Sequence, residues 1–459
     1  QEWLKHGGII TCTTAFFLKN RLLVGAWREL QPELVVIDEA HRLAETARRL
    51  FEHTLTDYHL HRAINAMNDV EPKQAELLKD FRKTFMRIVY RKPAKKPTLL
   101  KDEEVIELLE KIEQLDGRAL KKATREAVKD GRLDPISAKG ELKLLDDMGN
   151  AIPRMTRSLR FAVGTDKRNP LNYVVGFYYE QDDPEFTESE KRARYYLTLR
   201  SYFVQGLLRQ AVGESAIAYS ATIGDPSIFR FQTGLDLPFT SFGSSFSFER
   251  TRVYMPSDTP NLASRNQSRT TVREALRQVV EAAKRFAKRG HRSLVIVISE
   301  EERQKFLFQA ERAGLQTLTY GNGRKAKEVA TAFRDGEGSV LVGTAAHYAE
   351  GVDLPAGTAP VIFFLRPSYP SPDDPEAQFE ERRFGNGQAW ALRNWRVMLE
   401  ALQVRGRNVR AEEDLGVCFF VSQQFRRFLY GALPEWLRES YRGDITMEKA
   451  VEETMKLLK

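Results

Sequence analysis

Apolar runs and amphipathic stretches alternate along the C-terminal half of the chain. Residues 293–299 contain a continuous Leu-Val-Ile-Val-Ile run, which is typical of a parallel strand buried on both faces. Apolar positions at helical spacing predict helices over residues 271–289 and 301–313. Further short apolar runs predict strands at 316–319, 340–344, 361–365 and 417–421. Strands that alternate with helices predict an α/β fold with right-handed crossovers.

The N-terminal half shows the same alternation, interrupted by a long charged segment. Residues 9–23 predict a strand and a helix, and residues 34–41 a second strand. From about residue 42 to 165 the pattern is helical; residues 103–115, for example, form an amphipathic helix. Strand patterns resume at residues 173–179 and 193–203. We therefore divide the chain into a first lobe over 1–45 and 166–225, a helical insertion over 46–165, and a second lobe over 226–459.

An acidic corner is the most informative local feature. Three β-forming residues, Val35 to Ile37, lead directly into Asp38, Glu39 and His41. The carboxylates are therefore expected at the carboxyl end of a buried parallel strand, where open α/β sheets bind ligands. Nucleoside triphosphatases use one such carboxylate to hold Mg²⁺ and a second residue to orient the attacking water. From the sequence Asp38-Glu39-Ala40-His41 alone, the alternative is that a strand ends here and a helix with an acidic start follows it.

Two further motifs follow in the sequence. An apolar strand over residues 217–222 ends in Ser220, Ala221 and Thr222. A second apolar strand over residues 339–344 ends in Thr344. A turn follows it, and its polar and glycine residues are Glu350, Gly351 and Asp353.

A basic segment near the end completes the set. Gln403 precedes two arginines, Arg407 and Arg410, that would lie one helical turn apart. Alone this segment is either a solvated basic helix or a pair of guanidinium groups facing a cleft. Taken in order, the four motifs resemble motifs II, III, V and VI of the XPD/DinG branch of superfamily 2 helicases. The resemblance covers nearly the whole chain and is weakest over roughly residues 46–165.

The resemblance implies an α/β fold with two RecA-like lobes, each a parallel sheet flanked by helices, and an Arch-like, mainly helical insertion in lobe one. It implies that ATP binds between the lobes with Mg²⁺ at Asp38. Glu39, Arg407 and Arg410 would be catalytic, Glu39 by orienting water and the arginines at the γ-phosphate. The other implied nucleotide-side residues are His41, Gln403, Glu350, Gly351 and Asp353, and His41 and Gln403 would couple hydrolysis to lobe movement. The implied nucleic-acid residues are Ser220, Thr222 and Thr344.

Departures from the family pattern qualify this interpretation. No Gly-x-x-x-x-Gly-Lys-Ser/Thr occurs, and the nearest basic glycine stretch, residues 321–325, has the wrong spacing. Because the chain begins at Gln1 without a methionine, we expect an upstream portion with the phosphate loop; the alternative is a protein that cannot hydrolyse ATP. Cys12 and Cys418 are the only cysteines, too few for an iron-sulfur site or a disulfide framework, so we expect a reducing cytoplasm.

Charge agrees with a polyanionic partner. The formal net charge is +8 and the pI about 9.2. The leading hypothesis is an ATP-dependent helicase that moves 5′ to 3′ on single-stranded DNA in repair or replication, acting on forked or R-loop DNA as a monomer, away from membranes. A second hypothesis is a CRISPR-associated DinG helicase for plasmid or phage interference, with a CRISPR ribonucleoprotein as partner. A third, of another class, is a non-hydrolysing nucleic-acid-binding scaffold subunit.

Overall fold

The computed structural model describes residues 8–92, 96–163, 173–180, 194–244, 246–349, 354, 357–409, 411–426, 430–433 and 438–459. The helices are α1 Thr14–Leu18, α2 Leu43–Leu50, α3 Asp57–Asn68, α4 Pro72–Tyr90, α5 Asp102–Ile112, α6 Gly117–Lys129, α7 Lys139–Ala162, α8 Gln205–Val212, α9 Pro226–Thr233, α10 Arg269–Ala287, α11 Glu300–Arg312, α12 Ala326–Arg334, α13 Ala345–Tyr348, α14 Pro375–Arg405 and α15 Met447–Leu457. The strands are β1 Val35–Ile37, β2 His53–Thr56, β3 Thr98–Leu99, β4 Tyr173–Glu180, β5 Arg194–Ser201, β6 Ala216–Ala218, β7 Thr251–Tyr254, β8 Ser293–Val297, β9 Thr317–Leu318, β10 Val340–Thr344, β11 Val361–Phe364, β12 Gly416–Phe420 and β13 Tyr441–Arg442.

The first lobe is built on the parallel pair β1 and β6. One face of the pair packs on α1, α2, α8 and α9 around a core that includes Leu18, Leu43, Leu208 and Phe229. The opposite face is open, and Val36 and Ile217, which lie side by side in the register, are each more than half exposed. The strand predicted before α1 is not found among residues 8–13; instead Thr13 caps the helix by accepting from Phe16 N at 3.2 Å.

The insertion contains a sheet as well as helices. Strands β2, β5, β4 and β3 pair antiparallel in that order. Their inward side chains, such as Val175, Phe177, Leu197 and Leu199, share one core with helices α3 to α7. Residues 166–225 were predicted to belong to the first lobe, but β4 and β5 pair within this insertion sheet and not with β1 or β6. Their alternating pattern fits either location, and the nonlocal pairing with β2 and β3 decides between them.

The second lobe has a seven-stranded parallel sheet in the order β13, β7, β12, β11, β8, β10, β9 among the described residues. Helices cover both faces. On β8, Leu294 and Ile296 enter the core beneath α12 and α14, while Val295 and Val297 enter the core beneath α10, α11 and α15. Burial on both faces explains why this strand is a continuous apolar run.

Helix α14 folds back on itself. Gly385 lies at φ 76° and ψ 164°, outside helical conformation. Arg393 Nη2 donates to Ala377 O at 2.6 Å, although 16 residues of straight helix would separate these positions by about 24 Å. Arg396 pairs with Glu380 across the same gap. The segment Pro375–Arg405 is therefore a helical hairpin, which we name the lobe-two hairpin.

Candidate functional site

The predicted acidic corner lies at the carboxyl end of β1. The backbone amide of Tyr219 donates to Ile37 O and the amide of Ala40 donates to Tyr219 O, both at 3.0 Å, so the corner is tied to the end of β6. Glu39 adopts a left-handed conformation, φ 49° and ψ 45°, which costs a non-glycine residue about 1–2 kcal/mol. Asp38 Oδ1 accepts from Glu39 N at 2.7 Å. Both carboxylates are exposed to solvent at this corner.

Three predicted site residues form one hydrogen-bonded cluster. Ser220 Oγ donates to Glu39 Oε2 at 3.1 Å, and His41 Nδ1 lies 2.8 Å from Ser220 Oγ and 3.3 Å from Glu39 Oε2. Burial lowers the pKa of His41, and the Glu39 carboxylate opposes this effect, so the ring is neutral near pH 7. The carboxylate favours the proton on Nδ1. His41 Nε2 is then a buried acceptor, without a hydrogen-bond partner in the part of the chain that the structure describes.

Gln403 joins this cluster from the second lobe. Its Nε2 donates to Thr222 Oγ1 at 3.0 Å, and Thr222 N donates to Ser220 Oγ at 3.2 Å. A path of hydrogen bonds therefore runs from Glu39 through Ser220 and Thr222 to Gln403, crossing from one lobe to the other. We name it the interlobe path.

The backbone after Thr222 also docks on the lobe-two hairpin. Trp395 Nε1 donates to Ile223 O at 2.9 Å. Gly224 has φ +73°, and a Cβ there would lie 2.5 Å from Met398 Cε and 2.8 Å from Trp395 Nε1. Trp395 was not among the residues predicted for the site. The polar edge that tryptophan keeps when buried was the available signal for a hydrogen-bonding role.

The basic segment is arranged differently from the prediction. Helix α14 ends at Arg405, and Arg407 lies in a 3₁₀ turn over Gly406–Asn408, where its Nε donates to Ala349 O at 2.9 Å. Asn408 Nδ2 fixes this turn by donating to Pro360 O at 2.9 Å. The predicted residues Arg410, Glu350, Gly351 and Asp353 lie outside the described residues.

Thr344 lies at the carboxyl end of β10 and is nearly buried. Tyr320 Oη donates to Thr344 Oγ1 at 3.1 Å, and His347 Nδ1 lies 2.8 Å from the same oxygen. The hydroxyl that the sequence suggested for the DNA backbone is thus held by an internal cluster in this conformation.

Among the described residues, no three His, Cys, Asp or Glu side chains come together as a ready metal cage. Magnesium does not need one, because it often binds through one or two carboxylates, several waters and substrate phosphates. The exposed Asp38 fits that manner of binding. No helix within the described ranges is both long and apolar enough to cross a bilayer.

Comparison with known proteins places this geometry in a family context. Residues 274–440 match the family model of a helicase C-terminal domain. No curated protein sequence matches. An apo structure of XPD is 15% identical, with a TM-score of 0.58, covering 93% of this chain and 81% of that one.

Two further structures give the same result. An XPD helicase is 15% identical with a TM-score of 0.55, covering 92% of this chain and 72% of that one. Xpd4 of S. tokodaii is 14% identical with a TM-score of 0.54, covering 93% and 80%. The α/β fold predicted from the sequence is confirmed. The chain thus has the fold of the XPD helicase structures, and residues 274–440, in its second lobe, match a helicase C-terminal domain.

Proposed function

We propose that this chain carries the motor of an ATP-dependent DNA helicase that moves 5′ to 3′ along single-stranded DNA, in repair or replication and in the cytoplasm. The interlobe path is the observation that carries the proposal. It joins Glu39, the residue expected to orient water, to Gln403 on the opposite lobe through two hydroxyl side chains. A motor needs such a link, because each change at the nucleotide must alter how the two lobes meet.

Each residue of the acidic corner has a separate role in the proposed ATP hydrolysis. Asp38 would hold Mg²⁺ through water, and the ion would neutralise charge on the phosphates when bound. Glu39 would orient the attacking water, with Ser220 fixing one of its oxygens. Neutral His41 would hold the Ser220 hydroxyl and the Glu39 carboxylate in position. Arg407 lies beside Ala349 and would approach the γ-phosphate by leaving the Ala349 carbonyl.

Hydrolysis also requires a phosphate-binding loop, which the 459 residues lack. The exposed face of the first lobe supports a position for this loop beside β1 and β6. Parallel strands are normally covered on both faces and paired at their edges, yet β1 and β6 leave Val36, Ile217 and Tyr219 exposed. Additional parallel strands at the edges of this pair would carry the loop, and the crossover helices that connect them would cover these side chains and complete the lobe.

The test is single-stranded-DNA-stimulated ATP hydrolysis by protein that includes a phosphate loop. Glu39→Gln should lower kcat by on the order of 10²-fold or more while DNA binding remains. Glu33→Gln is the matched control, because Glu33 is an exposed carboxylate just before β1. Normal turnover by Glu39→Gln would remove Glu39 from the mechanism. DNA binding without any hydrolysis by the unaltered protein would favour the scaffold hypothesis.

The interlobe path has its own test in the same assay. Gln403→Ala should lower the ratio of DNA-stimulated to unstimulated rate, because its side chain is the link to Thr222. Gln388→Ala, on an exposed position of the same helix, is the control. Ser220, Thr222 and Thr344 keep their proposed role at the DNA backbone, where each hydroxyl would exchange an internal hydrogen bond for one to a phosphate. Binding that depends on such phosphate contacts should weaken steeply as salt rises.

A further inference from the structure

Charged side chains from three parts of the fold meet beside a cavity of about 570 Å³. They come from the first-lobe helix α2 and the residues after it, from the insertion strand β5, and from the lobe-two hairpin. We name the set the ionic junction; it consists of Glu45, Glu52, Arg200, Glu376, Glu380 and Arg396.

Arg200 lies at the centre of the junction. Its Nη1 lies 3.1 Å from Glu376 Oε2 on the hairpin, and its Nη2 pairs with Glu45 of the first lobe. Arg396 continues the network along the hairpin, 3.3 Å from Glu376 Oε1 and paired with Glu380. The Arg200 and Glu376 side chains are only 16% and 14% exposed, so solvent screens this pair far less than a surface pair.

Uncharged residues of the insertion strengthen its attachment to the hairpin. Tyr202 Oη, just after β5, donates to Glu380 Oε1 at 2.6 Å, and the Glu380 side chain is fully buried. A Cβ on Gly176 of β4 would lie 2.6 Å from Pro375, which shows how closely the strand approaches the start of the hairpin. The first segment of the hairpin is therefore held to the insertion.

The second segment of the hairpin contacts different partners at different points along its length. Arg396 faces the ionic junction, and its neighbour Trp395 binds Ile223 O. Gln403 lies seven residues after Arg396, so it is on nearly the same side of the helix two turns further along, and it binds Thr222. One rigid helical segment therefore contacts the ionic junction and, two turns further on, the interlobe path.

We propose that the ionic junction positions the lobe-two hairpin against residues Ser220–Gly224, so that a shift of the insertion alters the acidic corner. Arg200 is the positioning residue, acting through Glu376 and the hairpin. This positioning role depends on the proposed function in one respect only, namely that the acidic corner is an ATP site. The contacts themselves are independent of that assignment.

The junction is built to rearrange. Thr198 Oγ1, Arg200 Nε and Arg393 Nε line the cavity, are buried, and make no hydrogen bond with any described residue. Arg200 Nε lies 3.9 Å from Glu52 Oε2 and Arg393 Nε lies 4.0 Å from Glu380 Oε2, which is too far for a hydrogen bond. These groups therefore retain hydrogen-bonding capacity, and the cavity gives the side chains room to take new partners. A fully satisfied, close-packed interface would not have this freedom.

Hydrogen–deuterium exchange of the protein as it exists tests the proposal without nucleotide. Arg200→Met should speed exchange at the amides of Ala40, Tyr219 and Thr222 on the order of fivefold or more, the lower end of typical site-to-site coupling. Amides of β8 in the second-lobe core should not change. Arg382→Met is the matched control, since Arg382 pairs with Asp102 across the same interface but both side chains are about half exposed.

The outcomes distinguish a positioning role of Arg200 from a general contribution of Arg200 to stability. Faster exchange confined to the acidic corner and residues 219–224 supports the proposal. No change there in folded Arg200→Met overturns it, and so does a uniform increase that includes β8. Should Arg200→Met not fold, Glu376→Gln makes the milder change and carries the same expectations. Because this assay needs no ATP, a failed ATPase test leaves its result interpretable.

Discussion

Gly224 offers a sharp test of how the first lobe docks on the hairpin. Its φ of +73° is a left-handed conformation, and Gly290, after helix α10, has a similar φ of +81°. The surroundings differ. A Cβ at Gly290 would meet nothing within 4 Å, whereas one at Gly224 would lie 2.5 Å from Met398 Cε and 2.8 Å from Trp395 Nε1. Substituting alanine at each position therefore separates backbone strain from steric conflict.

The magnitudes follow from these distances. The left-handed conformation costs alanine about 1–2 kcal/mol at either position. Met398 Cε is the end of a flexible side chain and can rotate away at small cost, but the Trp395 indole is rigid. Moving the indole strains the packing and breaks its hydrogen bond to Ile223 O, a loss of about 1 kcal/mol for the bond alone. With overpacking included, Gly224→Ala should destabilise by about 2 kcal/mol more than Gly290→Ala.

Urea unfolding followed by tryptophan fluorescence measures the difference, because Trp395, one of five tryptophans, contributes to the signal. The two alanine variants are compared with the unaltered protein, and Gly224→Ala is also placed in a Met398→Ala background. Recovery there should be partial, since Trp395 still conflicts with the new methyl group. Equal destabilisation by Gly224→Ala and Gly290→Ala would refute the docking contact.

Three further results are expected. Although burial alone would raise it, the Arg396 and Arg200 charges hold the pKa of Glu376 at about 2. The contribution of Glu376 to stability should therefore be complete above about pH 4.5 and lost as the pH falls towards 2. An acid titration in which Glu376→Gln unfolds at the same pH as the unaltered protein would contradict this. Gly343→Ala should destabilise the second lobe by about 3 kcal/mol in thermal unfolding, because its Cβ would lie 2.4 Å from the Tyr348 ring. A thiol reagent should modify exposed Cys12 in the native protein and buried Cys418 only in urea, as mass spectrometry would show.

The second lobe was the most predictable part of the fold. Its strands are buried on both faces, so they appear as continuous apolar runs, and the strand predicted at residues 340–344 has those bounds in the structure. The helices predicted at 271–289 and 301–313 are observed at Arg269–Ala287 and Glu300–Arg312. Ser268 and Ser299 cap them by accepting amide hydrogen bonds, a local signal that sequence contains.

Nonlocal pairing limited the prediction of the insertion. Strands β4 and β5 were recognised as strands, but their location depends on β2 and on β3, which has only two residues. So short a strand has no distinctive periodicity. The turn of the lobe-two hairpin was not predicted, although the sequence contains a signal for it. Gly385 and Gly387 flank Asn386 inside an otherwise helical pattern.

The candidate site was predicted in its composition and only partly in its geometry. Glu39, His41 and Ser220 meet because parallel neighbouring strands end at the same edge of a sheet, a rule that sequence reasoning can apply. The contact of Gln403 with Thr222 depends on how two lobes meet, which no local pattern encodes. The position of Arg407 depends on where α14 ends, and helix ends are the least certain feature of such predictions.

The relative strength of the contacts indicates which of them yields first when the lobes separate. The hairpin meets the interlobe path through two neutral hydrogen bonds, from Gln403 and Trp395, each contributing on the order of 1 kcal/mol. It meets the insertion through the partly buried pair of Arg200 with Glu376 and the Tyr202 hydrogen bond to Glu380, and removing one member of such a charged pair costs about 3–5 kcal/mol. Opening should therefore break the contacts at Thr222 and Ile223 before the ionic junction. The insertion would then travel with the lobe-two hairpin, although its sequence is inserted into the first lobe.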